Sequence, residues 1–168
     1  LLATRGTGTD RGSGGMASKL AAAKIASWSG VRTVIADASR VGVLVDACDD
    51  IPGVGTVIRA RAGRLGARRL WIAFAGGSSG RITVDAGARQ ALEERRVSLL
   101  PAGVVAATGE FDAGDSVELE DLDGEVFAKG IARYDVETLR QNFGRRTTEL
   151  PEGVSHEVVH ADDLVVLP

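Results

Sequence analysis

The sequence is most informative first in what it lacks. Cys48 is the single cysteine among 168 residues. An internal disulfide is thereby excluded, and so is a cysteine-built zinc site. Aromatic residues make up only 4 %, so any core must be packed from Ala, Val, Leu and Ile. No apolar run approaches the roughly 20 residues that span a bilayer, which argues against a membrane partner. A secretory leader pattern is also missing, and a cytoplasmic location is expected. The chain opens on Leu1 rather than Met, and reads as the tail of something longer or as a trimmed piece.

Hydrophobic residues reach 44 %, enough for a packed core. The net charge of −3 conceals two halves of opposite sign. Residues 1–80 carry 11 Lys/Arg against 5 Asp/Glu, and residues 81–168 carry 9 against 18. Such a split predicts two domains with different roles.

Gly12-Ser13-Gly14-Gly15-Met16-Ala17-Ser18-Lys19 is the stretch around which the rest is arranged. Glycines let backbone N–H groups approach an anion closely, and a helix start adds unpaired N–H groups and partial positive charge. The loop is not a Walker A motif, because Lys19 follows Ser18 and precedes Leu20. It also misses G-x-G-x-x-G, because Ala17 occupies the third glycine position. On the residues alone, a phosphate-binding loop and a plain glycine turn before a helix remain equal alternatives.

From this loop a helix is predicted over Met16–Ser29, with Leu20, Ala21, Ile25 and Trp28 on one face and Gly30 as its stop. Val31–Ala36 reads as a strand, Val41–Cys48 as a short helix capped by Ser39, and Gly55–Ile58 as a second strand. This order is an α/β pattern. Gly76-Gly77-Ser78-Ser79-Gly80 reads as the linker. Beyond it lie a strand at Arg81–Asp85 and a helix at Ala86–Val97 with Ala88, Leu92 and Val97 inward. Strands follow at Val104–Ala107, Ser116–Glu120, Glu125–Tyr134 and Leu164–Leu167. Asp123-Gly124 marks a hairpin, and Asp135 caps a helix running to Phe143.

Other features have simpler readings. Cys48, Trp28 and Trp71 read as packing residues, and Glu93–Arg96 as a solvated helix face. His156 and His160 beside Asp162-Asp163 read as a capped turn with solvated acids rather than a metal site. The five arginines from Arg59 to Arg69 read as an exposed hinge or oligomer contact, with a nucleic-acid patch as the alternative.

A resemblance separates the two readings of the loop. The run Gly12–Leu20, followed by Ala21–Ala26 and Gly30–Ala36, resembles the nucleotide-binding segment of glutamate 5-kinases, members of the amino-acid kinase fold. Further matches, in order, are Gly53–Thr56, Ala67–Ile72, Ile82–Ala88, Ser98–Val104 and Val158–Leu164. The resemblance implies an α/β fragment of an amino-acid kinase domain over 1–75, a linker at 76–80, and a mainly β PUA pseudo-barrel domain over 81–168. It also implies an ATP-binding loop formed by Ser13, Gly14, Gly15, Met16, Ala17, Ser18 and Lys19, with Lys19 as the catalytic charge donor. Ser13 stands where the family more often has Thr, and keeps the hydroxyl. The implied reaction is phosphorylation of the γ-carboxylate of L-glutamate by ATP with Mg2+, with proline as feedback inhibitor and a homo-oligomeric assembly. The family's glycine-rich first strand and its glutamate-binding residues have no counterpart in this chain, so the chain alone is expected to be inactive. The rival reading is an RNA-binding, regulatory or oligomerisation PUA module. The −9 balance of residues 81–168 speaks against RNA, although Arg140, Arg145 and Arg146 could form a local patch supporting weak RNA binding.

Overall fold

The computed structural model describes residues 15–74 and 76–167. The chain divides into two compact units between Gly66 and Ala67.

In the first unit, helix α1 (Met16–Trp28) ends where the sequence places its stop. Gly30 takes φ +79°. Val31 N–H reaches the Ala26 carbonyl at 2.8 Å and Gly30 N–H the Ser27 carbonyl at 3.1 Å. This pairing closes the helix's free carbonyls in a Schellman turn. Strand β1 (Thr33–Ala36) pairs antiparallel with β2 (Gly55–Ile58), Thr33 opposite Ile58 and Ala36 opposite Gly55. Between them lies helix α2 (Val43–Cys48).

The expected inner face of α1 is corrected. Ala23, Ser27 and Trp28 are buried, while Leu20 and Ile25 are about 40 % exposed. The reason is the segment following β2, which lies against α1 backbone to backbone. Arg61 N–H bonds the Ser27 carbonyl and Leu65 N–H the Trp28 carbonyl, each at 3.0 Å. The small Ser27 side chain lets that backbone close in, and Trp28 is covered by Arg61 of the same segment. Ser39 does not cap α2. Its N–H and hydroxyl both go to Asp37 Oδ1, at 2.9 and 2.8 Å, and left-handed Gly42 precedes the helix instead. Cys48, expected inside, is exposed. Leu44 and Val45 on the same helix, and Val41 just before it, are exposed as well.

The second unit begins with α3 (Ala67–Phe74), followed by β3 (Gly80–Val84), α4 (Ala86–Arg95), a 3-10 turn at Pro101–Gly103 and β4 (Val104–Gly109). Then come β5 (Ser116–Glu120), β6 (Val126–Ala132), α5 (Val136–Arg140) and β7 (Val159–Val166). The five strands form one sheet in the order β4-β3-β5-β6-β7. Only the β3–β5 pairing is parallel.

Alternation sorts the two faces of this sheet. Ile82, Val84, Val117 and Leu119 point inward and are fully buried. On the other face Arg81 stands opposite Glu118 and Thr83 opposite Glu120. Arg81 Nε lies 3.0 Å from Glu118 Oε2, and the Thr83 hydroxyl donates to Glu120 Oε1 at 3.0 Å. Lys129, opposite Glu118 on β6, lies 3.4 Å from it. Opposite charges placed directly across the ladder fix its register.

Several boundaries differ from the sequence reading. The glycine stretch does not separate the units, because α3 packs on β7 and β6 and Gly80 already opens β3. Within α3, Ile72 and Ala73 turn inward and Trp71 is left 56 % exposed, which corrects Trp71 as a packing residue. Helix α4 stops at Arg95, because Arg96 adopts φ +53° and turns the chain. Val97 is consequently 41 % exposed rather than inward. Helix α5 ends at Arg140, short of Phe143. Strand β7 begins five residues before Leu164, its first half disguised by the polar run His160–Asp163. That polarity suits an edge, and α3 covers it. Arg69 Nη2 donates to the Ala161 carbonyl at 3.3 Å, and Arg68 Nε to Asp163 Oδ1 at 2.6 Å.

Gly130 sits where β6 passes Val159, and a Cβ there would come 2.4 Å from Val159 Cγ1 and 3.1 Å from the Asp163 carbonyl oxygen. Gly130→Ala is expected to destabilise the second unit by about 1–3 kcal/mol, read as a lower midpoint in urea unfolding. Asp135 accepts the Thr138 N–H at 2.8 Å and its hydroxyl at 2.7 Å. Those bonds, the backbone one foremost, hold its carboxyl below the ordinary carboxylate range. A depressed folded pKa gives stability that is complete above the unfolded value of about 3.9 and is lost as pH falls through the folded one. Asp135→Asn keeps a cap but removes the titration. Its unfolding midpoint is expected to lie below the parent's at pH 7 and the difference to close as pH falls below about 4, because only the parent loses the contribution of the ionised carboxylate.

Candidate nucleotide-binding site

Ser13 and Gly14, the first two predicted loop residues, lie outside the described residues. Gly15, Met16, Ala17, Ser18 and Lys19 are brought together as the N-cap and first turn of α1, and all five are exposed. Gly15 takes φ −69° and ψ −171°, and no side chain caps the helix. The first turn holds no acidic residue. Ser18 Oγ donates to the Gly15 carbonyl at 2.8 Å, which leaves the hydroxyl's lone pairs turned to solvent. A helix start with free N–H groups, no competing carboxylate and an ammonium in its first turn suits an anion.

The far end of α1 is anchored to the rest of the first unit. Ser27, 8 % exposed, donates its hydroxyl to the Arg59 carbonyl at 2.7 Å. The Arg61 guanidinium lies 4.2 Å above the Trp28 ring, a stacked cation–π contact. These contacts hold α1 against β1 and β2 and so fix where its N-terminus points. Sequence reasoning missed this fastening. Its only trace is the pair Ser27-Trp28 before Gly30, which periodicity treats as the ragged end of an apolar face.

Other arrangements are less suited to a ligand. A groove of about 360 Å³ in the second unit, beside α4, is lined by Ala88, Ala91, Val97 and Leu100 with Asp85 and Ser98. Both polar residues are already engaged, Asp85 by the Ala88 N–H at 2.7 Å and Ser98 by Glu157 at 2.9 Å. Among the described residues no three of His, Cys, Asp or Glu converge as a metal site. His160 Nδ1 instead accepts the Asp162 N–H at 3.1 Å, closing a turn. The described residues therefore do not supply a protein cage for Mg2+.

Residues 80–154 match the PUA domain family, and the second unit contains a PUA domain, built mainly on its sheet. A PUA domain from Aeropyrum pernix, solved as a tartrate complex, is 25 % identical, covering 63 % of this chain and 52 % of that one at a TM-score of 0.40. The similarity to curated proteins extends across both units. The glutamate 5-kinase of Mycolicibacterium vanbaalenii is 42 % identical over 164 residues, 98 % of this chain and 44 % of the relative. That of Mycobacterium tuberculosis is 45 % identical over 163 residues, 96 % of this chain and 42 % of the relative. The chain is a homologue of the glutamate 5-kinases and, with its PUA domain, fits the C-terminal part of one. It spans less than half the length of these relatives.

Ser27→Ala removes the hydroxyl that ties α1 to Arg59. It is expected to cost about 1 kcal/mol and to speed hydrogen exchange at the Arg61 and Leu65 amides, with amides of the second unit unchanged.

Proposed function

We propose that this chain is the ATP-contacting and PUA-bearing part of a glutamate 5-kinase, an ATP-dependent phosphotransferase with a carboxyl acceptor. The whole enzyme would transfer the γ-phosphoryl group of ATP to the γ-carboxylate of L-glutamate, giving glutamyl 5-phosphate for proline biosynthesis. The observation that carries the reading is the 42 % identity maintained over 164 residues, from the α1 N-terminus through the last strand. In this reading the first unit closes the kinase domain and the PUA domain follows it. The cytoplasm would be its location, proline its feedback inhibitor, and a homo-oligomer its working form.

The residues have definable work in such a reaction. Phosphoryl transfer depends on positioning and on charge stabilisation more than on covalent help from the protein. A carboxylate oxygen of glutamate attacks the γ-phosphorus while the bond to the bridging oxygen breaks and its electron pair leaves on ADP. The N–H groups at the start of α1 would receive phosphate oxygens, and Ser13 and Gly14 would extend that contact on the loop side. Lys19, one turn into the helix, would offset negative charge as it accumulates on the departing phosphate. Mg2+ would accompany ATP and offset charge on its phosphates; among the described residues no three His, Cys, Asp or Glu converge to hold it. The glutamate-binding groups would lie in the part of the relatives that this chain does not match, so the isolated chain should not phosphorylate glutamate.

The test is Lys19→Ala in an enzyme that includes the remainder of the kinase domain. The expected result is a loss in kcat of about 10²–10³-fold with little change in the KM for glutamate, measured by ADP release. An unchanged kcat would remove Lys19 from the reaction.

A further inference from the structure

The five arginines between Arg59 and Arg69 do not share one fate. Arg68 and Arg69 are neutralised within the second unit by Asp163 and Asp162, at 2.6 and 3.7 Å. In the first unit, Arg40 pairs with Asp46 at 2.9 Å, and Arg32 pairs with Asp50. Arg59, Arg61 and Arg64 are exposed and have no carboxylate partner among the described residues. They are not on a loose hinge either. Their backbone is stitched to the last turn of α1 through Ser27 Oγ to the Arg59 carbonyl, Arg61 N–H to Ser27 and Leu65 N–H to Trp28. The Arg64 stem lies beside Gly30, whose added Cβ would come 3.5 Å from Arg64 Cβ. Lys24, also exposed, stands one helical turn before Trp28 on α1. Four cations are thus gathered around one end of one helix on a fixed backbone.

Arg61 adds a geometric feature. Its guanidinium is stacked on Trp28 at 4.2 Å, and Trp28 is only 5 % exposed. The ring lies directly beneath the guanidinium carbon while the residue stays open to solvent. A supported, outward-facing guanidinium plane is a platform on which an unpaired base can stack. The neighbouring guanidinium forks match phosphate oxygens bidentately.

We infer that Arg59, Arg61 and Arg64, with Lys24, form a binding surface for a single-stranded polynucleotide, whose backbone phosphates meet Arg59, Arg64 and Lys24 while a base stacks on Arg61. The surface lies in the first unit, apart from the PUA domain, and does not depend on the kinase reading. Single strands fit better than duplexes, because stacking on Arg61 needs a base free of its pair. A purely acidic polypeptide would satisfy the forks but leave the platform unused.

The experiment uses the 168-residue chain and a fluorescein-labelled oligouridylate, followed by anisotropy across a salt series. Three or four phosphate contacts predict a slope of log K against log salt of about −2 to −3. Arg59→Glu with Arg64→Glu is expected to weaken binding at least about tenfold. Arg145→Glu with Arg146→Glu, in the second unit, should leave it unchanged. Arg61→Lys keeps the charge and removes the plane, and should abolish any preference for oligouridylate over an abasic oligomer of equal length. If the glutamate pair disturbs folding, seen as a changed thermal midpoint, Arg59→Gln with Arg64→Gln serves in its place. The inference is overturned by salt-independent or absent binding, or by loss of binding in the Arg145/Arg146 pair instead. It is overturned equally if poly-glutamate at matched charge displaces the oligonucleotide fully, or if the preference for bases survives Arg61→Lys.

Discussion

Strand β3 must satisfy two neighbours and two faces at once, and the second unit is arranged by that demand. Antiparallel β4 lies on one side of it and parallel β5 on the other. A parallel partner cannot be reached by a tight turn, so the chain between β3 and β5 makes an excursion through α4 and β4. Asp85, at the end of β3, caps α4 and starts that excursion. Ile82 and Val84 on the inner face are fully buried. Arg81 and Thr83 on the outer face find Glu118 and Glu120. A one-residue slip would bury Arg81 and Thr83 among Val117 and Leu119, a cost that charge desolvation makes prohibitive.

The first unit is held differently. Its described part buries only three apolar side chains, Ala23, Trp28 and Val54, and much of its definition comes from backbone hydrogen bonds onto the end of α1. Those bonds fix the direction of both ends of the helix. The start presents free N–H groups and Lys19, and the end is surrounded by cations that complement its negative dipole. The anion-binding character proposed for this unit therefore has two separate sources, one in the peptide dipoles and one in guanidinium groups.

Much of this was legible in the sequence where local rules act alone. Gly30 as a helix stop, Asp135 as a cap, Asp123-Gly124 as a turn and the alternation in Ser116–Glu120 are decided by a few adjacent residues, and the structure agrees; Asp85, read as the end of a strand, is instead the cap of α4. The misreadings share a different cause. Ser27 is inside because a distant backbone closes in on it, which no periodicity encodes. Val97 is outside because Arg96 adopts a left-handed conformation that nothing in Glu-Arg-Arg-Val announces. Strand β7 looked short because an edge strand can carry His160 and Asp162 at no cost. At the nucleotide loop, composition left two readings open. The resemblance favoured the phosphate loop, and the uncapped, acid-free start of α1 is the physical ground for it.

The position of α3 changes what should be regarded as the transferable module. The family match runs from 80 to 154, yet the compact unit begins at Ala67 and takes in β7, at Val159–Val166. Strand β7 is the last strand of the sheet, and α3 packs on it and gives Arg69 to one of its edge carbonyls. A gene fusion that moved only the matched segment would carry a sheet missing its last strand and its cover. The compact piece is the longer one, and the residues just before the glycine stretch pack with the domain that follows them.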